Sequence, residues 1–280
     1  MTSASRLRSA LTIAGSDSGG GAGIQADLKT FSAFGLFGTS ALTALTAQNT
    51  VGVQAVHEVP ADFVVAQIEA VAGDIPLSAV KTGMLATSAV VHAVADAIER
   101  LALPNLVVDP VMLAKDASRL LTDEAGAVLR ERLLPLARVV TPNLPEAEIL
   151  AGMPIATDGD LREAAERIFA TGCGVVVVKG GHRKAMMEGQ RMAEDLVYDG
   201  RSATTLSAPF VEYAANEGSV HGTGCAFSAA VAAALARGDE PLDAVRRAKD
   251  FISRAIEERL RPGGGNPVPH HFTGSRLRGD

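Results

Sequence analysis

Runs of apolar and β-branched residues alternate along this chain with segments in which apolar positions recur at helical spacing. The first pattern predicts strands at 10–14, 39–48, 52–59, 79–84, 105–111, 138–141 and 174–178, and an antiparallel hairpin over 193–209 that turns at Asp199-Gly200. The second predicts helices at 23–34, 61–73, 88–101, 123–134, 145–151, 160–171, 224–237 and 241–260. Apolar strands that alternate with helices predict an α/β fold with a central, mostly parallel sheet and helices on both faces.

The same pattern shows no linker, internal repeat or low-complexity segment. We therefore expect the 280 residues to form a single domain, with loose tails at 1–9 and 262–280. Ligands of such folds bind at the carboxyl ends of the strands. The polar or chemically distinctive residues predicted at that edge are Asp17, Gln48, Met84, Asp109, Asn143 and Lys179.

Composition limits which partners and which cellular compartment are expected for this protein. The net charge is −6 and no dense block of Lys and Arg occurs, which argues against nucleic acid. The two cysteines form no CxxC pair, so a disulfide framework or a cysteine zinc site is not expected and a reducing compartment fits. The chain shows no signal core and no apolar run of membrane-spanning length. We predict a soluble, cytoplasmic protein with no membrane partner.

The segment His221-Gly222-Thr223-Gly224-Cys225, followed by a small apolar helix, predicts an anion site. The free N–H groups and partial positive charge of a helix N-terminus attract an oxyanion, and glycine lets it approach the backbone. A cysteine in that field should have a lowered pKa. A tight turn before a buried helix, with an inert cysteine, explains the segment equally well.

A second glycine-rich loop, residues 15–23, holds five glycines in nine positions but matches neither a dinucleotide fingerprint nor a P-loop. It indicates either close approach of the backbone to a small molecule or a flexible surface loop. Asp27, expected in the first turn of the next helix, fits an acceptor for a ligand amino group or a helix-dipole partner. Gln48 fits a heteroaromatic edge or a strand-end hydrogen bond. Met84 fits core packing.

Two further positions point to a nucleotide. Asn143 and Glu146 lie three residues apart where a helix begins, which suits Mg²⁺ bound through water or a capping box. Lys179 follows a buried strand and either meets phosphate oxygens or lies at the surface.

Seven segments in the same order resemble the hydroxymethylpyrimidine/phosphomethylpyrimidine kinase family, from about residue 10 to 260: 14–30, 43–50, 81–85, 108–112, 141–147, 179–182 and 221–225. The resemblance implies a ribokinase-like fold and ATP-dependent phosphorylation of 4-amino-5-hydroxymethyl-2-methylpyrimidine, then of its monophosphate, in thiamine biosynthesis. It also implies Mg²⁺ as cofactor and a homodimer.

The resemblance further assigns roles to particular residues. Those that match the family's pyrimidine-binding positions are Gly15, Asp27, Gln48, Met84 and Val111. Asn143 and Glu146 match the positions that serve the Mg²⁺-nucleotide, and we expect Lys179 and Thr223 to contact the nucleotide too. Gly222 and Gly224 match the anion hole, and Cys225 matches the catalytic position.

Alternatives and departures accompany this assignment. A pyridoxal or pyridoxine kinase on the same scaffold is the nearest alternative, although Gln48 with Met84 favours the pyrimidine. A non-catalytic pyrimidine-binding protein and a dehydrogenase are further alternatives. Residues 115–119 lack the Ser-Gly-Asp that often follows a lysine at the position of Lys115 in the family, and residues 212–220 show no clear alignment to the family. No thiamine-phosphate synthase extension is expected.

Overall fold

The computed structural model describes residues 7–112, 122–187, 190–212 and 218–273. Its ten strands are β1 (Ser9–Ala14), β2 (Phe37–Leu42), β3 (Ala44–Gln48), β4 (Val53–Glu58), β5 (Leu77–Thr82), β6 (Leu106–Val108), β7 (Val139–Val140), β8 (Val176–Met187), β9 (Gln190–Tyr198) and β10 (Ala203–Pro209). Eight of them form one sheet in the order β10-β9-β8-β7-β6-β5-β1-β2. Pairing is parallel from β8 to β2, whereas β9 runs antiparallel to both of its neighbours.

Helices cover both faces of this sheet. They are α1 (Gly23–Ala33), α2 (Ala61–Asp74), α3 (Ser88–Arg100), α4 (Asp123–Val128), α5 (Leu144–Ala151), α6 (Asp158–Phe169), α7 (Thr223–Arg237) and α8 (Pro241–Glu257). One core packs residues of α2 to α6 against the sheet, and the other packs residues of α1, α7 and α8 against the opposite face. Successive residues of a strand point to opposite faces of the sheet and so belong alternately to the two cores, as a sheet covered on both faces requires. The predicted fold class is confirmed.

Helix α7 is buried along most of its length. Every residue from Ala226 to Ala236 is buried, and most of these side chains are alanine or other small residues. Small side chains allow the helix to pack closely against the sheet and between α1 and α8. The N-terminus of α7 is thereby fixed at the edge where the parallel strands end.

Some predicted elements differ from the observed ones. The strand predicted over 39–48 is two strands: β2 belongs to the main sheet, and β3 pairs with β4 in a separate antiparallel hairpin. The chain leaves the main sheet at Thr43, whose side chain donates to the carbonyl of Met84 at 2.6 Å. Strand β8 continues to Met187 and pairs with β9, a contact that the sequence pattern did not predict. Hydrophobic periodicity specifies a strand but not its partner.

The prediction of loose tails is wrong at two places. Ser9 begins β1 and is buried. Residues 266–271 pack back onto the body, where Asn266 N–H donates to Thr50 O at 2.8 Å and Leu260 pairs with Val268. Residues 1–6, 115–119, 213–217 and 274–280 lie outside the described residues, and the single domain stays a prediction. No helix in the described part of the chain is long and apolar enough to cross a membrane.

Candidate active site

Two helix N-termini meet at the carboxyl edge of the sheet. The glycine-rich loop 15–23 leads into α1, and residues 221–222 lead into α7. Gly222 has φ +85°, and a Cβ there would overlap the carbonyl oxygen of Gly21. Because only glycine fits this close approach, the two glycine segments are packed against one another. The first turns of both helices, with their partial positive charge, therefore lie beside one another.

The loop 15–23 is organised around the Asp17 carboxylate rather than being free. Asp17 accepts hydrogen bonds from the backbone N–H groups of Gly19, Gly21 and Ala22 at 2.8, 3.0 and 2.8 Å. Burial raises the pKa of Asp17, but the hydrogen bond from His221 and those from the backbone outweigh it and hold the pKa below its ordinary value. A charged Asp17 thus holds the loop in one shape.

Several predicted pyrimidine-binding residues lie beside this loop. A Cβ on Gly15 would come within 2.6 Å of Met84 Cε, so these two residues are in contact. Gln48 ends β3, where its backbone N–H donates to Ser18 Oγ at 2.7 Å and its side-chain Nε2 lies 3.0 Å from His221 Nε2. Val111 is half-buried just beyond β6. Gly15, Gln48 and Met84 therefore border one space.

Asp27 is placed differently from the sequence prediction. It is the fifth residue of α1, beyond the first turn, and its side chain is fully buried. Its Oδ2 accepts from Lys81 Nζ at 2.8 Å and from Thr12 Oγ1 at 2.6 Å, whereas Oδ1 has no hydrogen-bond partner among the described residues. Burial raises the pKa of Asp27, and Lys81 opposes the rise. This carboxylate is thus fully buried with only one of its two oxygens hydrogen-bonded to described residues.

A second lysine lies on the opposite side of the space. Lys179 Nζ is 3.0 Å from Asp109 Oδ1, and Asp109 Oδ2 accepts from Ser228 Oγ at 3.1 Å. A Cβ on Gly224 would lie 3.4 Å from Lys179 Nζ, so the lysine faces the start of α7 and is not a surface residue. Burial raises the pKa of Asp109, but Lys179 and Lys81 outweigh it and leave the pKa lowered.

Asn143 and Glu146 form the capping box of α5. Glu146 N–H donates to Asn143 Oδ1 at 2.9 Å, and Asn143 N–H donates to Glu146 Oε2 at 2.8 Å. Burial raises the pKa of Glu146 to about 7, with Lys179 opposing the rise and Asp109 adding to it. A cation nearby would relieve that cost, and amide and carboxylate oxygens suit Mg²⁺ that keeps its waters. The described residues contain no ready-made cluster of three or more His, Cys, Asp or Glu side chains for a metal.

Cys225 does not have the lowered pKa that its position predicted. It is the third residue of α7 and half-buried, and loss of hydration raises its pKa to about 11. Lys81 opposes this shift, whereas the carboxylates of Asp27 and Asp109 add to it. The helix N-terminus is thus outweighed by burial and by two nearby negative charges. Thr223 begins the same helix and is half-buried.

Three partners of the predicted site residues, Lys81, Ser228 and His221, are not predicted from the sequence as members of the site. Lys81 is a charged residue inside an apolar strand, which is a recognisable signal because unpaired buried lysines are rare. Asp109 contacts both Ser228 and Lys179, which are far from it in sequence. Nothing in the sequence indicates these two contacts. His221 contacts both Gln48 and Asp17, although it was noted only as part of the glycine motif.

Similar sequences and structures cover nearly the whole chain. The family model described as phosphomethylpyrimidine kinase matches residues 17–270. The chain is 46% identical to hydroxymethylpyrimidine/phosphomethylpyrimidine kinase of Haemophilus influenzae over 275 residues, 98% of this chain and 100% of that protein. It is 45% identical to the thiamine biosynthesis bifunctional protein ThiED of Geobacter sulfurreducens, across 96% of this chain and 54% of that protein. Pyridoxal kinase from Staphylococcus aureus, solved with AMP-PCP and pyridoxal, is 36% identical with a TM-score of 0.85, across 97% of this chain and 96% of that one.

Proposed function

The chain belongs to the phosphomethylpyrimidine kinase family, and on that basis we propose that it phosphorylates 4-amino-5-hydroxymethyl-2-methylpyrimidine and then its monophosphate, with ATP as donor, in thiamine biosynthesis. Its fold is that of the ribokinase-like kinases. In each step a bond forms between the acceptor oxygen and the γ-phosphorus of ATP. The bond from that phosphorus to the β,γ-bridging oxygen breaks, ADP leaves, and any proton on the acceptor oxygen passes to water.

The observation that carries this proposal is the convergence of two glycine-lined helix N-termini between two lysines. Lys179 faces Gly224 from the side of β8, and Lys81 reaches the same space from β5. Phosphoryl transfer needs positioning and charge stabilisation more than covalent chemistry. Backbone N–H groups of Gly222 to Cys225 would hold the transferred phosphoryl group, and Lys179 would bind its oxygens. Asp109, which also accepts from Ser228, would position the lysine.

The acceptor is proposed to bind on the other side of the space. Gly15 and Met84 would flank the ring, with Val111 beside them, and Gln48 would meet its polar edge. Asp27 Oδ1 has no hydrogen-bond partner in the described part of the chain, and this supports an acceptor role for the carboxylate towards the ring amino group. This arrangement points the hydroxymethyl group at the N-terminus of α7.

We propose that Asn143 and Glu146 hold Mg²⁺ through its waters, with Lys179 and Thr223 on the nucleotide. When bound, this cation neutralises charge on the β- and γ-phosphates. The buried Glu146 carboxylate, whose pKa is raised to about 7, gains a positive neighbour in that complex. Glu146 and Asn143 also keep the N-terminus of α5 in position through their capping box.

Cys225 remains the proposed catalytic residue, but as a thiol that contacts the acceptor hydroxyl. With a pKa of about 11 it is protonated near neutral pH, so it is a poor proton acceptor. We expect Cys225→Ala to lower kcat at the lower end of the roughly 10²–10⁴-fold range of a positioned acid or base, and to change the acceptor KM far less. Steady-state kinetics measure both, and unchanged turnover would contradict the assignment.

The decisive experiment is an ATP-dependent assay with hydroxymethylpyrimidine, its monophosphate and pyridoxal as separate acceptors, each product resolved by mass. A pyrimidine diphosphate supports both proposed steps. Pyridoxal phosphate as sole product would assign the chain to the pyridoxal kinases, an alternative favoured by the similarity to the S. aureus enzyme. Binding of the pyrimidine without any product would favour a non-catalytic binding protein.

The predicted homodimer is also a proposal, and we assign it to the hairpin of β3 and β4. Five large apolar side chains are exposed on or beside this hairpin: Leu45, Val51, Val53, Val56 and Phe63. A two-stranded ribbon is marginally stable alone in water, so cover by a second copy would stabilise it. Sedimentation tests this: Leu45→Asp, on the face of the hairpin turned away from the loop 15–23, should convert a dimer to a monomer, and a monomeric wild type would contradict the proposal. The cytoplasmic location stays a prediction.

A further inference from the structure

His221 has no part in the mechanism above, yet it links two regions of the site. It directly precedes Gly222, and its backbone N–H donates to Pro267 O at 2.8 Å. Its side chain is 26% exposed, and Nε2 lies 3.4 Å from Asp17 Oδ2 and 3.0 Å from Gln48 Nε2. A single ring nitrogen therefore faces both a carboxylate and an amide.

The Asp17 carboxylate decides which tautomer of His221 fits. An ionised carboxylate only accepts hydrogen bonds, and three backbone N–H groups already hold Asp17 in that state. A proton on Nε2 allows His221 to donate to Asp17, whereas a lone pair there would face the negative charge. The neutral ring should therefore carry its proton on Nε2.

That tautomer in turn decides which end of the Gln48 amide faces the ring. With its proton on Nε2, His221 would oppose an amide N–H, so the amide oxygen should turn towards Nε2 and share that proton with Asp17. A half rotation of the amide exchanges oxygen and nitrogen at the same places. The amide nitrogen then faces Thr46 Oγ1, at the position 3.2 Å away. Thr46 can accept there, because its own hydroxyl proton goes to Ser16 O at 2.9 Å. In this arrangement the facing polar groups of His221, Asp17, Gln48 and Thr46 all have hydrogen-bond partners.

We propose that His221 is a positioning residue that sets the polarity of the Gln48 amide and so selects the acceptor ring. With its oxygen towards His221 and its nitrogen towards Thr46, Gln48 offers an acceptor and a donor in fixed order. An aminopyrimidine presents the complementary pair, an amino group beside a ring nitrogen, and pyridoxal has no such pair. The inference rests on the proposed function, since it concerns which ring that site prefers.

The first test is spectroscopic and independent of activity. In protein with ¹⁵N-labelled histidine rings at pH 8, long-range proton–nitrogen correlation reports the tautomer of each of the six histidines. The His221 signals are assigned by their loss in His221→Leu, or in His221→Gln if the first variant does not fold. The proposal expects a proton on Nε2 of His221. A proton on Nδ1 alone would overturn it.

The second test measures selectivity as the ratio of kcat/KM for hydroxymethylpyrimidine to that for pyridoxal. Loss of one hydrogen-bond preference should lower this ratio by about tenfold in His221→Leu, with the KM of ATP unchanged. His221→Gln can still place a donor towards Asp17, so it should keep most of the ratio. His92→Leu, an exposed histidine of α3, is the matched control.

The outcomes separate this inference from the proposed function. A wild type that phosphorylates only pyridoxal contradicts the proposed function, whatever the His221 tautomer. A wild type that prefers the pyrimidine, with the same ratio in His221→Leu, leaves the function standing and overturns the role of His221. A change of kcat for both acceptors alike would also overturn it, because a merely structural defect does not discriminate between rings.

Discussion

The site contains two Lys–Asp pairs of similar length and opposite surroundings. Lys81 and Asp27 are 2.8 Å apart with side chains 0% exposed, whereas Lys179 and Asp109 are 3.0 Å apart with side chains 16% and 3% exposed. The first pair is closed to solvent between β1, β5 and α1, with only Asp27 Oδ1 proposed to meet the acceptor, and we call it the sealed pair. The second faces the start of α7, where Gly224 leaves room for a ligand. We infer that the sealed pair supplies a fixed electrostatic field. In the other pair, which we call the open pair, Lys179 is proposed to exchange its contact with Asp109 for one with phosphate.

This difference follows from what each lysine can reach. A buried charge is tolerated only when it is paired, so Lys81 must keep Asp27 whatever the ligand does. The charge of Asp27 raises the pKa of Lys81 against the effect of burial, and this lysine stays protonated. Lys179 has a partly exposed side chain and a partner also held by Ser228, so it can turn to an anion without stranding Asp109.

The largest expected effect is on stability, at the sealed pair. Lys81→Met leaves the Asp27 carboxylate buried without its cation, and breaking such a pair typically costs about 3–5 kcal/mol. Urea unfolding measures the loss, with Lys179→Met as the matched change at the open pair. A second substitution, Asp27→Leu, in the Lys81→Met background should recover most of the loss. Equal losses in Lys81→Met and Lys179→Met would contradict the comparison.

The next effect is on catalysis, at the open pair. Lys179→Met removes a cation proposed to stabilise the transferred phosphoryl group, so kcat/KM for ATP should fall by roughly 10²–10³-fold, with a smaller loss of stability than in Lys81→Met. Lys249→Met is the control, because Lys249 is also buried and paired, 2.7 Å from Asp195, but lies outside the site. That control should lose stability and keep the KM of ATP. The opposite pattern would assign Lys179 a structural role.

The two pairs also show how far the sequence could predict this molecule. Periodicity predicted the parallel sheet, and the sheet placed Asp109, Asn143 and Lys179 at one edge because parallel strands end together, whereas Gln48 lies on the separate hairpin of β3 and β4. It could not predict that Thr43 separates two sheets or that β8 pairs with β9, since pairing joins distant segments.

Electrostatic states were less predictable than positions. The position of Cys225 at a helix N-terminus was read correctly from its motif, but its pKa was not. Burial and the charges of Asp27 and Asp109 act on that thiol through contacts that only the folded chain creates. Lys81 begins the segment 81–85, which resembles the kinase family, whereas its partner Asp27 lies 54 residues away in sequence. Local sequence identifies the charged groups that act on Cys225, but it does not give their distances from the thiol.

The smallest expected effect is a shift of stability with pH at Glu146, beside the open pair. Its pKa is about 7 in the folded protein against an ordinary 4.5, so the folded state holds this proton more tightly than the unfolded state does. The stability that this provides is fully present below pH 4.5 and is lost as the pH rises through 7. Glu146→Gln keeps an acceptor for Asn143 N–H without the charge. It should therefore raise the Tm at pH 8 without Mg²⁺ by about 2–4 °C, as expected for about 1 kcal/mol in a domain of this size.

Thermal unfolding at pH 8 and at pH 4.5 checks this prediction, with the exposed Glu131→Gln as control. The gain should be present at pH 8 and absent at pH 4.5, where Glu146 is protonated in the wild type. The same variant should need more Mg²⁺ for half-maximal activity, because it lacks the charge proposed to face the cation. An equal gain at both pH values would assign the effect to packing. A normal Mg²⁺ requirement would leave Glu146 with its capping role alone.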